Sequence, residues 1–255
     1  MQKNDTGVPF LTVVIPAYNE ETNIRLGALD KVEHYLSRQD YRFEVILVDD
    51  GSEDETLSLL EDFTRQNKGF RVVKNPHQGK AATVITGILA ARGTVVLFTD
   101  LDQATPLSEV EKLLPWFESG FDVVIGSRNS QRRGAPTLRI IMARGFMLIR
   151  SVMLGMSGIS DTQCGFKAFR RSRVNDLFGR LQLYGSKHTV SGSMVTAGFD
   201  IEVLYLAKQL RLKIKEVPVD WHYVETRRVN PLKDSVQALS DIIRIRINTW
   251  KGKYA

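Results

Sequence analysis

Two pairs of carboxylates stand out in this 255-residue chain. Asp100-Leu101-Asp102 follows the apolar run 94–99, and Asp49-Asp50 follows the apolar run 44–48. Carboxylates this close at a strand end can share a divalent cation or its waters, and Mg²⁺ or Mn²⁺ held this way also binds substrate phosphates. The plainer reading is a turn rich in Asp, a residue that suits turns and helix caps. A second acidic pair at another strand end shifts the balance toward the metal. His77-Gln78-Gly79-Lys80 sets a flexible glycine and a cation just before a helical stretch. Backbone N–H groups there suit a phosphate, and an ordinary capped turn fits equally well. Other chemistries lack their residues. No Gly-x-Gly-x-x-Gly follows the first strand and no Walker loop is present, nor is a Gly-x-Ser-x-Gly elbow. The histidines at 34, 77, 188 and 222 have no metal-ligand spacing. Cys164 reads as a small buried hydrophobe rather than a nucleophile.

A basic stretch complements the acids. From Arg128 to Ser160 there are six arginines and no acid, interleaved with Leu138, Ile140, Ile141, Met142, Phe146, Met147, Leu148 and Ile149. Such a helix can lie in a membrane interface with Arg reaching anionic headgroups, or can hold a lipid phosphate. A core helix with solvated Arg is the alternative. Nucleic acid is not expected as a partner, because no helix-turn-helix, RNA-recognition or zinc pattern accompanies the charge.

The elements that must position these groups follow from periodicity. Short apolar runs at 11–15, 44–48, 70–74, 94–99 and 122–126 read as strands, with Pro16 expected to stop the first. Helical spacing covers 20–38, 54–66, 80–91 and 106–119, with Asp54 able to cap the second helix and Pro106 opening the fourth. Alternation of this kind predicts an α/β fold, a doubly wound, parallel sheet with helices on both faces. In such sheets the ligand sits at the carboxyl ends of the strands, and the polar clusters 17–20, 49–50, 77–80, 100–102 and 127–128 all fall there. Beyond 128 the pattern predicts helices over 137–154, 200–210 and 231–250, strands over 166–170 and 213–219, and a loop over 179–199.

Composition bounds the class. Apolar residues make up 43% and charged residues 25%, as in a globular protein with a sizeable core. A disordered, collagen-like or disulfide-stapled chain is excluded. One cysteine fits a reducing compartment. The start lacks the apolar region of a secretory signal, and no uncharged run reaches the roughly 18 residues of a membrane span. The net charge of +6 conceals an asymmetry: 12 Lys/Arg against 20 Asp/Glu up to Ser127, and 23 against 9 beyond it. The first part suits a metal, the second phosphates or an anionic surface; two solvated faces of opposite sign are the bland alternative.

The motifs VVIPAYNEE (13–21), VDDGSEDET (48–56), FTDLDQATP (98–106), VVIGSR (123–128), SDTQCGFKAF (160–169) and VPVDWHYVE (217–225) together resemble family 2 glycosyltransferases with the GT-A fold. Within them the chain is similar to the polyprenyl-phosphate glycosyltransferases, in particular the dolichyl-phosphate β-glucosyltransferase-like group. The resemblance covers about 11–248. It implies a single GT-A domain, a Rossmann-like and mostly parallel sheet whose nucleotide-sugar half spans about 8–127 and whose acceptor and membrane-facing half spans about 128–255. By resemblance, Pro16, Ala17, Tyr18 and Glu20 line the nucleotide site, Asp49 reads the uracil or guanine edge, and Lys80 lies near the same pocket. Asp100 and Asp102 match the metal motif, with Asp102 the direct ligand to Mg²⁺ or Mn²⁺. Arg128 falls near the acceptor phosphate, assisted by Arg139 or Arg144. Asp161, Gln163 and Lys167 border the acceptor side, and Arg227 and Arg228 lie beside the diphosphate or the lipid phosphate. The catalytic set implied is Asp102, Arg128, Asp161 and Arg228. Leu101 and Thr226-Arg227-Arg228 depart from the family pattern, and the segment 184–198 is longer than expected.

The activity this implies is an inverting, metal-dependent hexose transfer. The donor is UDP-glucose, with GDP-mannose as the other candidate, and the acceptor is a polyprenyl or dolichyl phosphate at the cytoplasmic membrane face. An acceptor phosphate is already anionic and needs Arg to hold it rather than a base to activate it. An alcohol would need a carboxylate, Asp161 or Asp200. The expected location is cytoplasmic, peripherally associated with an anionic membrane surface. A GT-A transferase with a soluble acceptor is the alternative, and a non-catalytic sugar-nucleotide-binding module a third reading.

Overall fold

The computed structural model describes residues 7–128, 137–184, 197–222 and 231–254; in the helices that begin at 137, 197 and 231, side chains are described from 145, 198 and 236. Seven strands form one sheet in the order β3-β2-β1-β4-β6-β5-β7. They are β1 (Leu11–Ala17), β2 (Phe43–Asp49), β3 (Phe70–Lys74), β4 (Val95–Thr99), β5 (Val123–Ser127), β6 (Phe166–Arg170) and β7 (Ile214–Pro218). The helices are α1 (Glu21–Arg25), α2 (Ala28–Leu36), α3 (Thr56–Gln66), α4 (Lys80–Ala90), α5 (Val110–Glu118), α6 (Thr137–Leu154), α7 (Arg171–Phe178), α8 (Ala197–Gln209) and α9 (Pro231–Trp250).

Strand alternation divides the apolar side chains between two layers. Val13, Ile15, Val45, Leu47, Val95 and Leu97 pack with α2, α3 and α5 on one face. Val14, Ile46, Val48, Val96 and Phe98 pack with α4, α7, α8 and α9 on the other. Central strands buried on both faces must read as continuous apolar runs rather than alternating ones, and β1, β2 and β4 do. At their amino ends a buried polar knot ties strand to strand. Thr12 Oγ1 donates to Glu44 Oε1 at 2.7 Å, and the backbone N–H groups of Arg92 and Gly93 donate to Glu44 and to Thr12 Oγ1.

Four expectations need correction. Pro16 does not stop β1, which runs to Ala17. Ala17 O accepts from Asp50 N on the β2 side, so Pro16 faces the β4 side, where pairing has already ended at Val14 and no N–H is wanted. The helix expected over 20–38 is two, because Gly27 adopts φ +79° between α1 and α2. The helix over 106–119 begins as a 3₁₀ turn, Leu107–Glu109, before α5. The parallel sheet read from periodicity is instead the mostly parallel one that the resemblance implied: β6 runs antiparallel between β4 and β5, which places the residues before β6 at the same rim as the residues after β4. Helix α7 was not expected from the sequence.

β1 leads to β2 on one side, and β4 lies on its other side. The crevice at this reversal, outside the carboxyl ends of the strands, is the ligand position of open α/β sheets.

Candidate functional site

The crevice is built from three turns. After β1, Tyr18 stacks on His77, with ring centroids 4.2 Å apart and planes 19° from parallel. Asn19 N–H donates to Ser52 Oγ and Glu53 N–H to Asn19 Oδ1, while Glu20 N–H donates to Thr56 Oγ1 at 2.7 Å. The loops after β1 and β2 are therefore one tied unit. The Glu20 carboxylate accepts from Asn23, which holds it against α1. Pro16 and Ala17 lie at the last positions of β1, and Ala17 is buried.

The acidic pair after β2 divides by strand parity. Asp49 turns to the α2 and α3 face. Its Oδ2 accepts from the N–H groups of Gly51 and Ser52, while its Oδ1 is buried without a hydrogen-bond partner among the described residues. A buried carboxylate oxygen left unpaired is costly, and a base-edge N–H would satisfy it. Asp50 turns the other way and holds the start of α4, accepting from Gln78 N–H at 3.0 Å and Gly79 N–H at 2.8 Å. His77 Nδ1 lies 3.0 Å from Asp50 O, and His77 Nε2 is buried without a partner among the described residues. Asp50 therefore serves the 75–79 turn as an anchor. His77 was not singled out as a base neighbour by the sequence; the only available signal was an aromatic ring preceding Gly79-Lys80.

At the end of β4, Lys80 Nζ lies 2.5 Å from Asp100 Oδ1. Burial works against the ammonium charge, but Asp100 outweighs it and the Lys80 pKa is raised. Behind Asp100, Gly165 leaves room: a Cβ there would stand 2.1 Å from Asp100 Oδ2. Asp102 Oδ1 accepts from Ala104 N–H at 3.0 Å. Asp102 also borders a groove of about 450 Å³ with Lys31, Tyr35, Gln103 and His222. Asp100 and Asp102 are hard oxygen donors on one turn, as a Mg²⁺ or Mn²⁺ ion requires. No group of three potential ligands forms among the described residues, so further ligands would come from substrate oxygens and water. On donor type and placement the residues fit the ion.

On the far side of the rim, Arg128 and Asp161 form a fork. Arg128 Nε and Nη2 donate to the two Asp161 oxygens at 2.8 and 2.9 Å, and Arg128 N–H donates to Oδ2 at 3.0 Å. Burial alone would raise the Asp161 carboxyl, but Arg128 overrides it and brings the pKa down to about 2. So low a pKa makes Asp161 a poor proton acceptor and a firm anchor for the guanidinium. The segment carrying it is tethered: Ser160 and Asp161 N–H groups donate to the Glu216 carboxylate at 2.8 Å each. Arg150, nearly fully buried, donates to Thr162 Oγ1.

Lys167, in the segment expected to border the acceptor side, points into the protein. It is 1% exposed, and its Nζ donates to Asp200 Oδ1 at 2.7 Å and to Cys164 O, 5.4 Å from the centre of the Phe98 ring. Its inward direction follows from parity, since Phe166 and Ala168 take the opposite face. Burial raises the Asp200 pKa against the opposing pull of Lys167 and Lys80. Cys164 is buried and its thiol is pushed up to about 11 by burial, which makes it unreactive. Arg227, Arg228 and most of the segment 184–198 lie outside the described residues, as do the side chains of Arg139 and Arg144.

The chain is similar to known proteins in sequence and in fold. The family model "Glycosyl transferase family 2" matches residues 12–178. The chain is 34% identical to a dolichyl-phosphate beta-glucosyltransferase of Dictyostelium discoideum, over 98% of this chain and 79% of that one. It is 33% identical to the Saccharomyces cerevisiae protein of the same name, over 96% and 76%. Among solved structures it is similar to glucosyl-3-phosphoglycerate synthase from Mycobacterium tuberculosis in complex with Mn²⁺, UDP and glucosyl-3-phosphoglycerate. There the TM-score is 0.62 at 22% identity, over 93% of this chain and 80% of the other, a likeness of fold.

Proposed function

Given that this chain belongs to glycosyl transferase family 2 and is a glycosyltransferase of GT-A fold, we propose that it moves glucose from UDP-glucose to a dolichyl or other polyprenyl phosphate, with inversion and with a divalent cation. The observation that carries this reading is the single rim on which Tyr18, Asp49, Lys80, Asp100, Asp102 and the Arg128–Asp161 fork converge. The activity for which the relatives are named supports the sugar and the acceptor.

Each residue has a task in this reaction. Tyr18 offers a stacking face for the base, and the unpaired Asp49 Oδ1 accepts its N–H. Asp100 and Asp102 would hold the cation, which when bound supplies positive charge to the departing diphosphate. Lys80 adds a second positive charge at the start of α4. Arg128, oriented by Asp161, receives the acceptor phosphate and offsets its repulsion from the diphosphate. An oxygen of that phosphate attacks the anomeric carbon as the bond to the diphosphate breaks, and UDP departs. One displacement inverts the configuration, and no proton need be removed from the nucleophile. The fork leaves Asp161 engaged, so it serves here as a positioning residue. Arg228 is assigned to the lipid phosphate by resemblance alone.

The acceptor is membrane-bound, and two helices suit that surface. α6 and α9 pack together, and each leaves large apolar side chains exposed: Leu148 and Val152 on α6, Val236, Ile243 and Trp250 on α9. Arg244, 61% exposed at its side chain, and Arg246 lie among them. No helix among the described residues is long and apolar enough to cross a membrane. We infer peripheral attachment at the cytoplasmic face.

The test is a transfer assay with labelled UDP-glucose, a polyprenyl phosphate and Mn²⁺ or Mg²⁺. Label entering the organic phase, and reduced at least ~100-fold in Asp102→Ala, is the expected result. Metal-dependent release of UDP without organic label would instead favour a soluble phosphorylated acceptor, a reading supported by the phosphoglycerate product of the fold neighbour.

A further inference from the structure

Lys80 and Asp100 meet at 2.5 Å in the place where the metal motif would be expected to offer an open carboxylate. The backbone turn before α4 and the Asp100 carboxylate are both held in place. The start of α4 is fixed by the Asp50 bonds to Gln78 and Gly79. Asp100 is backed by Gly165, whose missing side chain is the space its Oδ2 uses. The nearby carboxylate of Asp200 already pairs with Lys167 at 2.7 Å. The movable part is the Lys80 side chain itself, which is 43% exposed.

We propose that Lys80 is a built-in substitute cation: it neutralises Asp100 while no metal is bound, and it transfers to the donor diphosphate when a divalent cation takes the carboxylate. This deepens the metal-dependent reading above and rests on it. An ammonium and a divalent ion repel one another at a shared oxygen, so the ion alone must displace Nζ into water. When a nucleoside diphosphate arrives with it, Nζ gains an anionic partner. Cation and diphosphate thereby assist each other's binding through Lys80, beyond their direct contact, and such coupling is reciprocal.

The test measures Mn²⁺ binding alone, by the loss of the free-ion paramagnetic resonance signal, with thermal melts to establish that each variant folds. Lys80→Met is expected to bind Mn²⁺ about five- to tenfold more tightly than the parent without nucleotide, and to gain less from added UDP. Lys80→Arg, which keeps the charge, is expected to stay near the parent. In an Asp100→Asn background the Lys80→Met gain is expected to vanish. Equal or weaker Mn²⁺ binding by Lys80→Met overturns the proposal, and so does a gain that persists with Asn at 100, since net charge would then explain it. If no variant binds Mn²⁺ even with UDP, the metal-dependent reading falls as well. Normal parent binding without the Lys80→Met gain removes this inference alone.

Discussion

A single carboxylate shows how charge is used at this rim. Asp161 is held down to about 2 by Arg128, below the usual carboxylate value of 3.8 that it would have unfolded. A depressed acid stabilises the fold above its unfolded pKa and loses that contribution as pH falls. The pair is therefore expected to contribute about 2 kcal/mol above pH ~4, lost progressively toward pH ~2, measurable as the difference in acid unfolding between the parent and Asp161→Asn. At neutral pH that variant leaves Arg128 with a neutral partner and is expected to cost about 3 kcal/mol in denaturant melts, with weakened acceptor affinity. Gly165→Ala makes a different point. Its Cβ would press on Asp100, so Mn²⁺ and UDP affinity should fall far more than melting temperature, as calorimetry can establish. At this scale the sequence made legible the position of Asp49, Asp100 and Asp102 at strand ends, while their roles rest on the proposal above. Arg128 and Asp161 stand 33 positions apart, and nothing in residue type announces their fork. Lys167 turns inward to Asp200, which residue type does not announce, since a lysine normally stays in water.

At the scale of elements, spacing located most strands and helices, because apolar period and turn residues are local properties. Direction is not local. The run 166–170 reads the same whether parallel or antiparallel, so the inverted β6 emerged only from the structure. α7 escaped because its sequence, Arg171-Ser-Arg-Val-Asn-Asp-Leu-Phe, is mostly polar and buries only Val174, Leu177 and Phe178. The contact between α4 and the sheet gives a prediction of its own. Gly87 lies so close to β1 that a Cβ would fall 2.3 Å from Val14 Cγ1 and 3.0 Å from Val48 Cγ2. Gly87→Ala would gain helix propensity yet force α4 outward, and a net loss of roughly 1–3 kcal/mol is expected in urea unfolding. Since Lys80 opens this same helix, the displacement should also weaken UDP binding.

For the molecule as a whole, the charge asymmetry visible in composition fits the proposed division into an acid-bearing half that would hold the donor and a basic half that would meet the acceptor. The exposed apolar side chains of α6 and α9 give this half a testable surface. The parent is expected to co-sediment with anionic vesicles and less so with neutral ones, and added salt should weaken the association. Val152→Glu combined with Trp250→Glu should leave the protein in the supernatant while melting and UDP binding stay near those of the parent, because both residues are more than 70% exposed. The inverted β6 has a further consequence, one of timing. Among the described strands β5 is hydrogen-bonded to β6 and β7, both of which are synthesised after it. On the ribosome, β1 to β4 can assemble while the flank of β4 is bare and β5 has no strand among those described to pair with. An uncovered apolar strand edge invites wrong partners, and pairings distant along the chain form slowly. Pulse-labelled hydrogen exchange during refolding should find the amides of β1 and β2 protected before those of β5, with closure of the sheet awaiting the strand that runs against the rest.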